Sequence, residues 1–288
     1  LKEEDSIDTI KMCNTHDWAF FLTDTGKVYK MRVWEVPESS RNAKGTPLVN
    51  FLNIKQDESV QAFFTLSNDD LSNSEGQVFF ATEKGTVKRT GLDQFENIRS
   101  NGIMAIRLAD DDSLIYADIT SGKDAILLTT AQGQSIRFAE SDVRTMGRSA
   151  SGVTGIKLAK TNDKVVGAIV IKNEDEAPNL LVVSEKGYGK KTSTEEYKQQ
   201  KRSGSGILTY KVTTKTGKLV SAKGLDPKSK TEDILVATKS GKVIRLSAKS
   251  IPLLGRATQG VRLINLGDGD EVVSTAIIED EHVDNMDE

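Results

Sequence analysis

The feature that most constrains this chain is that it repeats itself five times. Five segments open with an apolar run ending in a glycine turn, at residues 18–26, 78–85, 125–133, 180–187 and 234–241. The turn glycines Gly26, Gly85, Gly133, Gly187 and Gly241 lie 59, 48, 54 and 54 residues apart. A hydroxyl residue stands three positions before each one: Thr23, Thr82, Thr130, Ser184 and Thr238. A basic residue stands four positions after: Lys30, Arg89, Arg137, Lys191 and Arg245. A second glycine follows at 19, 17, 19, 19 and 19 residues, as Gly45, Gly102, Gly152, Gly206 and Gly260. Self-similarity at this period marks an array of supersecondary units rather than one irregular core.

Each unit reads as four short strands. The apolar run is the first; the glycine turn leads to the second. A longer polar loop ends at the second glycine. The third strand is expected at 48–52, 103–108, 153–158, 207–212 and 261–266, and the fourth at 60–66, 114–119, 165–171, 219–223 and 272–278. Four strands per unit of this length predict an all-β, propeller-like ring of four-stranded antiparallel blades. One blade cannot bury both of its faces, so its neighbours must cover them. No segment carries a long helical period. The repeats fall near 16–70, 76–122, 123–173, 178–228 and 232–278 of a single domain over 1–278. Residues 5–12 are similar to a fourth strand, so 1–15 is expected to be the end of a further repeat, truncated at the N-terminus, in a fragment of a longer polypeptide.

The net charge of -3 conceals an asymmetry. Residues 268–288 hold nine acids and no Lys or Arg, which leaves 33 acids and 39 bases in 1–267, a net of +6. A basic body points to a polyanionic partner. The acidic tail at 279–288 is expected to be disordered. The one cysteine, Cys13, excludes a disulfide within the chain, suits a reducing cytoplasm, and reads as a small buried or half-buried filler. No apolar run reaches membrane-spanning length, so no membrane partner is expected.

The stretch Gly26-Lys-Val-Tyr-Lys-Met-Arg-Val-Trp-Glu-Val-Pro-Glu-Ser-Ser-Arg-Asn-Ala-Lys-Gly-Thr-Pro-Leu-Val-Asn-Phe-Leu52 closely resembles the C-terminal domain of the DNA gyrase A subunit, a type IIA topoisomerase. So does Glu185-Lys-Gly-Tyr-Gly-Lys-Lys-Thr192 followed by Glu196 and Tyr197. The resemblance covers essentially the whole chain. It implies a six-bladed β-pinwheel, in which adjacent repeats exchange strands, and duplex DNA wrapped around the outer rim. It also implies that the remainder of the gyrase A subunit, with the gyrase B subunit, performs ATP-driven negative supercoiling. The catalytic tyrosine would then lie outside this chain, and the domain itself would need no cofactor, metal or catalytic residue. The family's box, Q-R-R-G-G-K-G, is not intact. The chain begins where that box would have ended, and Gln200-Lys-Arg-Ser-Gly-Ser-Gly206 is a degenerate echo of it. The sister domain of the topoisomerase IV A subunit, which lacks a proper box, is the alternative reading. A ring that scaffolds protein partners is a third.

Binding DNA without sequence choice needs cations spaced along a curved path of phosphates. Two sets recur once per repeat. The first follows the glycine turn: Lys30, Arg89, Arg137, Lys191 and Arg245, with Lys88 and Lys190 beside them. It admits two uses, DNA contact or ion pairs with a neighbouring blade. The second lies in the long loop: Arg41, Lys44, Arg99, Arg144, Arg148, Lys198, Lys201, Arg202 and Arg256. Solvated loops are free to meet a ligand, and their glycines would let backbone approach phosphate. Trp18, Trp34 and the phenylalanines read as core. Gly187–Thr192 lacks the spacing of a phosphate loop. His16 and His282, the only histidines, have no supporting triad or zinc pattern. Asp110–Asp112 and Asp268–Asp270 read as turns.

Overall fold

A computed structural model describes residues 13–39, 45–72, 75–158, 162–172, 177–229 and 231–279. The first repeat supplies β1 (Trp18–Thr23), β2 (Lys27–Arg32) and β3 (Val60–Leu66). The second supplies β4 (Gln77–Thr82), β5 (Thr86–Gly91), β6 (Ile103–Met104) and β7 (Leu114–Thr120). The third supplies β8 (Ala125–Thr130), β9 (Gln134–Ala139), β10 (Val153–Thr154) and β11 (Val165–Ile171). The fourth supplies β12 (Asn179–Ser184), β13 (Tyr188–Ser193), β14 (Ile207–Leu208) and β15 (Leu219–Leu225). The fifth supplies β16 (Glu232–Thr238), β17 (Val243–Ser247), β18 (Val261–Arg262) and β19 (Val272–Glu279). One α-helix among the described residues, Asn68–Leu71, is a single turn capped by Ser67, so no helix is long and apolar enough to cross a membrane.

These strands form five antiparallel sheets, ordered β3-β1-β2-β6, β7-β4-β5-β10, β11-β8-β9-β14, β15-β12-β13-β18 and β19-β16-β17. From the second repeat on, the third strand therefore completes the blade before its own. The ring has five blades, not the six expected. Each blade is seeded by one hairpin of first and second strands, and the sequence contains five such hairpins. The expectation of a sixth rested on the family and on residues 5–12, which lie outside the described residues.

The hydroxyl and the glycine of the repeat build the hairpin. Gly85 N–H donates to the Thr82 carbonyl at 3.0 Å, and the Thr82 hydroxyl accepts from Thr86 N–H at 3.1 Å. Ser184 does the same for Tyr188 N–H. The turn glycine has positive φ in all five hairpins, 77° at Gly26 and 83° at Gly241 among them.

Alternate residues of each first strand point to opposite faces, and in the three middle blades both faces are apolar because each meets a different blade. Phe20 and Leu22 of blade one pack with Val78 and Phe80 of blade two. Phe79 and Ala81, on the other face of β4, pack with Ile126 and Leu128 of blade three. Leu127 then meets Leu180 and Val182, and Leu181 and Val183 meet Ile234 and Val236. Each fully buried side chain of this size contributes about 1.5–3 kcal/mol. Fourth strands of adjacent blades contact one another, β3 with β7, β7 with β11, β11 with β15 and β15 with β19. They form one edge of each sheet, and in blades one to four the exchanged third strand forms the other, outer edge.

Two local expectations are corrected. The third strands are two residues long rather than five or six, and 48–52 is no strand at all. Leu48–Asn50 forms a 3-10 turn that lays Leu52 and Phe51 over Ala19, Phe21 and Tyr29. No described blade precedes the first, so this segment covers the outer face of its own blade. Cys13 is exposed rather than filling a core position.

Candidate nucleic-acid interface

The exchange joints set the surroundings of each cation. Where the third strand of one repeat meets the blade before it, the chains close to backbone distance. A Cβ on Gly102 would stand 2.7 Å from the Tyr29 ring, and one on Gly152 would stand 2.5 Å from the Val87 carbonyl. Here the second glycine lets the exchanged strand dock. The next two residues then fold over the turn glycine of the preceding blade. Ala105 and Ile106 N–H both donate to the Gly26 carbonyl, and Thr209 and Tyr210 N–H to that of Gly133.

The cations after the first turn serve this joint. Lys88 and Lys190 have no exposed surface. The Lys88 ammonium donates to the carbonyls of Ala105 (2.5 Å) and Arg148 (2.7 Å). Lys190 donates to those of Gly255 and Arg256, both at 2.6 Å. Each thereby ties the second strand of its blade to the loop of the following repeat. Burial brings both ammonium pKa values down to about 8, with Arg148 adding to the fall at Lys88. Arg137, nearly buried, donates to the carbonyls of Thr194 and Tyr197, and Lys191 to that of Ala248 at 2.6 Å. Burial also lowers the Lys191 pKa. Arg89 donates to the Gly122 carbonyl at 3.1 Å and lies 3.9 Å from the buried Glu140. Burial raises the pKa of that carboxyl, while Thr120 and Asp124 hydrogen-bond to it. Lys30 reaches the Glu96 carbonyl and lies 4.1 Å over the Trp18 ring. Burial first, then Arg32, lowers its pKa. Arg245, in the exposed second strand of blade five, bonds Asp233 at 2.6 Å.

The loop cations are disposed differently. Arg99, Arg144, Lys198 and Lys201 are exposed. Lys201 keeps 93% of its side-chain surface while lying 3.6 Å from Asp142. Arg148, Arg202 and Arg256 are half-buried, and two of them are anchored. Arg202 donates to the carbonyls of Asp142 and Thr154, both at 3.0 Å, and Arg256 to that of Leu208 at 2.7 Å. Measured from the second glycine, an arginine recurs four residues earlier in four repeats, as Arg41, Arg148, Arg202 and Arg256. Arg41 and Lys44 lie outside the described residues, as does the acidic tail. Thr154 and Leu208 end exchanged strands, so Arg202 and Arg256 bind the outer edge of the blade two before their own.

A third row escaped the reading of the sequence. Five residues after the second glycine stand Arg107, Lys157 and Lys211. All three side chains are exposed. Their positions are fixed by backbone bonds to the next loop, from Arg107, Lys157 and Lys211 N–H to the carbonyls of Ala150, Gly204 and Thr258. Counting from the second glycine instead of the first would have exposed them. Trp34 also departs from expectation. It is 55% exposed and lies edge-on to His16, while Arg32 stacks 3.6 Å over Trp18. Among the described residues no three His, Cys, Asp or Glu side chains gather as a metal site would require.

A family model described as the DNA gyrase C-terminal domain, beta-propeller, matches residues 17–67, 76–121, 124–172, 178–224 and 232–279, one match per blade. The chain belongs to the DNA gyrase C-terminal domain family. Among curated relatives, it is 41% identical over 279 residues to the DNA gyrase A subunit of Staphylococcus epidermidis, covering 97% of this chain and 30% of that protein. It is 40% identical over 274 residues to the Escherichia coli gyrase A subunit, covering 95% and 30%. This gyrase C-terminal domain thus spans about a third of the length of those relatives. A solved DNA gyrase A C-terminal domain superposes with a TM-score of 0.73 at 25% identity, covering 94% of this chain and 89% of that one. The C-terminal domain of DNA topoisomerase IV superposes with a TM-score of 0.84 at 23% identity, covering 97% and 84%, a likeness of fold alone.

Proposed function

We propose that this gyrase C-terminal domain binds duplex DNA along the outer edges of its blades and bends it around the ring, without strong sequence preference. In the cytoplasm it would serve negative supercoiling by an ATP-dependent enzyme completed by the rest of the gyrase A subunit and by the gyrase B subunit. The observation that carries the reading is the row of exposed or half-exposed loop cations, Arg99, Arg144, Arg148, Lys198 and Lys201, at the outermost strands of successive blades. Cations repeated by the geometry of the fold meet a polyanion whose charge also repeats. Lys88, Lys190, Arg137 and Lys191, tied to carbonyls inside the joints, are assigned to holding the ring.

Ligation of nicked circular DNA in the presence of the protein tests this. Wrapping traps writhe, so the topoisomers should shift in linking number with one sign, in proportion to bound protein, for plasmids of unrelated sequence. Binding with no shift would leave a DNA-binding domain that does not wrap. Absence of binding at low salt would overturn the reading in favour of a protein scaffold.

A further inference from the structure

At three consecutive joints backbone bonds bring two cation-bearing segments together on the outer edge. Arg107 follows the exchanged strand β6, and its N–H is bonded to Ala150 in the loop that carries Arg148. Lys157 follows β10 and is bonded to Gly204, beside Arg202. Lys211 follows β14 and is bonded to Thr258, beside Arg256. The head groups of Arg202 and Arg256 are held only three residues from Lys157 and Lys211, on the Thr154 and Leu208 carbonyls. Among the described residues, Arg107, Lys157 and Lys211 make no side-chain hydrogen bond or ion pair. Open clefts flank the first of these joints. One of about 480 Å³ is lined by Arg99, Arg148 and Gly102, and one of about 210 Å³ by Arg107, Gly152 and Thr154, with the Asp112 carboxylate, which accepts from Lys84 and Ser113 N–H, at its wall.

We propose that Arg107, Lys157 and Lys211 are a row of phosphate anchors, one per joint, that sets the line DNA follows along the ring. This rests on the duplex-binding reading above. Paired like charges repel one another, and a phosphate between them relieves that cost. Backbone bonds fix where each side chain leaves the fold, so only side-chain freedom is lost on binding. The row also has ends. At the fourth joint the equivalent position is Asn265, and in the first repeat, which has no exchanged strand, the same count from the second glycine reaches Asn50; both are exposed. DNA is gripped over these three consecutive joints and released at the fourth, where Asn265 stands.

The test is duplex affinity as a function of salt for the wild-type chain, for the triple variant Arg107→Gln, Lys157→Gln, Lys211→Gln, and for the double variant Asn50→Lys, Asn265→Lys. Each phosphate contact contributes roughly 0.9 to the log–log salt slope. The triple variant should lose about 2.7 from the slope at an unchanged unfolding midpoint, and the double variant should gain up to about 1.8 as the row lengthens. A triple variant that keeps the wild-type slope, while the wild type binds with normal salt dependence, overturns the row and leaves duplex binding intact. A wild type without salt-dependent binding overturns both.

Discussion

In the third blade the turn glycine, Gly133, lies beneath the backbone of the next repeat, and a Cβ there would overlap the Tyr210 carbonyl oxygen. In the fifth blade Gly241 has nearly the same backbone, φ 83° against 80°, yet a Cβ would meet no described atom within 4 Å. The hairpins are alike; the difference is what docks on them. Blades one to four each receive an exchanged strand, and blade five keeps three strands with β17 as its edge. Its alternating residues stay exposed, Val243 at 37%. The joint, not the repeat, is thus the unit that makes glycine and lysine indispensable. The same sequence signal has different consequences on the two sides of that comparison.

The largest expected effect breaks the comparison if it fails. Gly133→Ala should cost about 3 kcal/mol or more, because left-handed strain adds to a backbone clash that only movement of the exchanged strand can relieve. Gly241→Ala should cost about 1 kcal/mol, from strain alone. Urea unfolding of both variants measures the gap, and equal losses would show that the docked strand imposes nothing.

Lys88 sharpens it. Lys88→Met strands the carbonyls of Ala105 and Arg148 and should cost about 2 kcal/mol at pH 7. Its pKa is about 8 in the fold and 10.5 as an ordinary side chain. Below pH 8 both states hold the proton and the penalty of burying charge is fully present. Between pH 8 and 10 the unfolded chain still holds a proton that the folded chain has shed, so the wild type gains stability. Above pH 10 Tyr197, pushed up to about 12 by burial, acts the other way, since the folded form retains its proton and stability is lost. Thermal melts should therefore show the wild type gaining on Lys88→Met between pH 8 and 10. A parallel course for the two proteins would mean that the ammonium is not held in this way.

The smallest effect concerns the exposed loop. Lys201→Ala removes a solvated contact with Asp142 and should change stability by less than about 0.5 kcal/mol. Arg202→Ala, next in sequence, releases the Thr154 and Asp142 carbonyls and should cost about 1–2 kcal/mol. Comparable losses from the two would erase the distinction between anchoring and free cations within one loop.

Much of this was legible in the sequence. The hydroxyl–glycine hairpins stood out because Thr82 and Gly85 act on residues within four positions of themselves. First and fourth strands are long and apolar, and Val60–Leu66 and Val165–Ile171 fall where the pattern put them. The exchanged strands were overestimated because only two residues of each pair; the next two are buried by folding over a turn some 80 residues earlier. Blade number followed the family instead of the hairpin count. The burial of Lys88 and Lys190 carried one overlooked signal: the same position is Tyr29, Ile136 and Ile244 in the other repeats, a core register. Parity alone could not separate a lysine that seeks carbonyls from one that seeks phosphate.

The division of the cations into those that hold the joints and those that face the partner is tested most directly by the salt dependence of duplex binding in two variants. Lys198→Ala with Lys201→Ala removes two exposed loop cations and should lower the log–log slope by about 1.8 with little change in folding stability. Lys191→Met removes a cation bound to the Ala248 carbonyl and should lower the stability while leaving the slope at the wild-type value. The opposite pattern, an unchanged slope in the loop variant and a reduced one in Lys191→Met, would contradict the account.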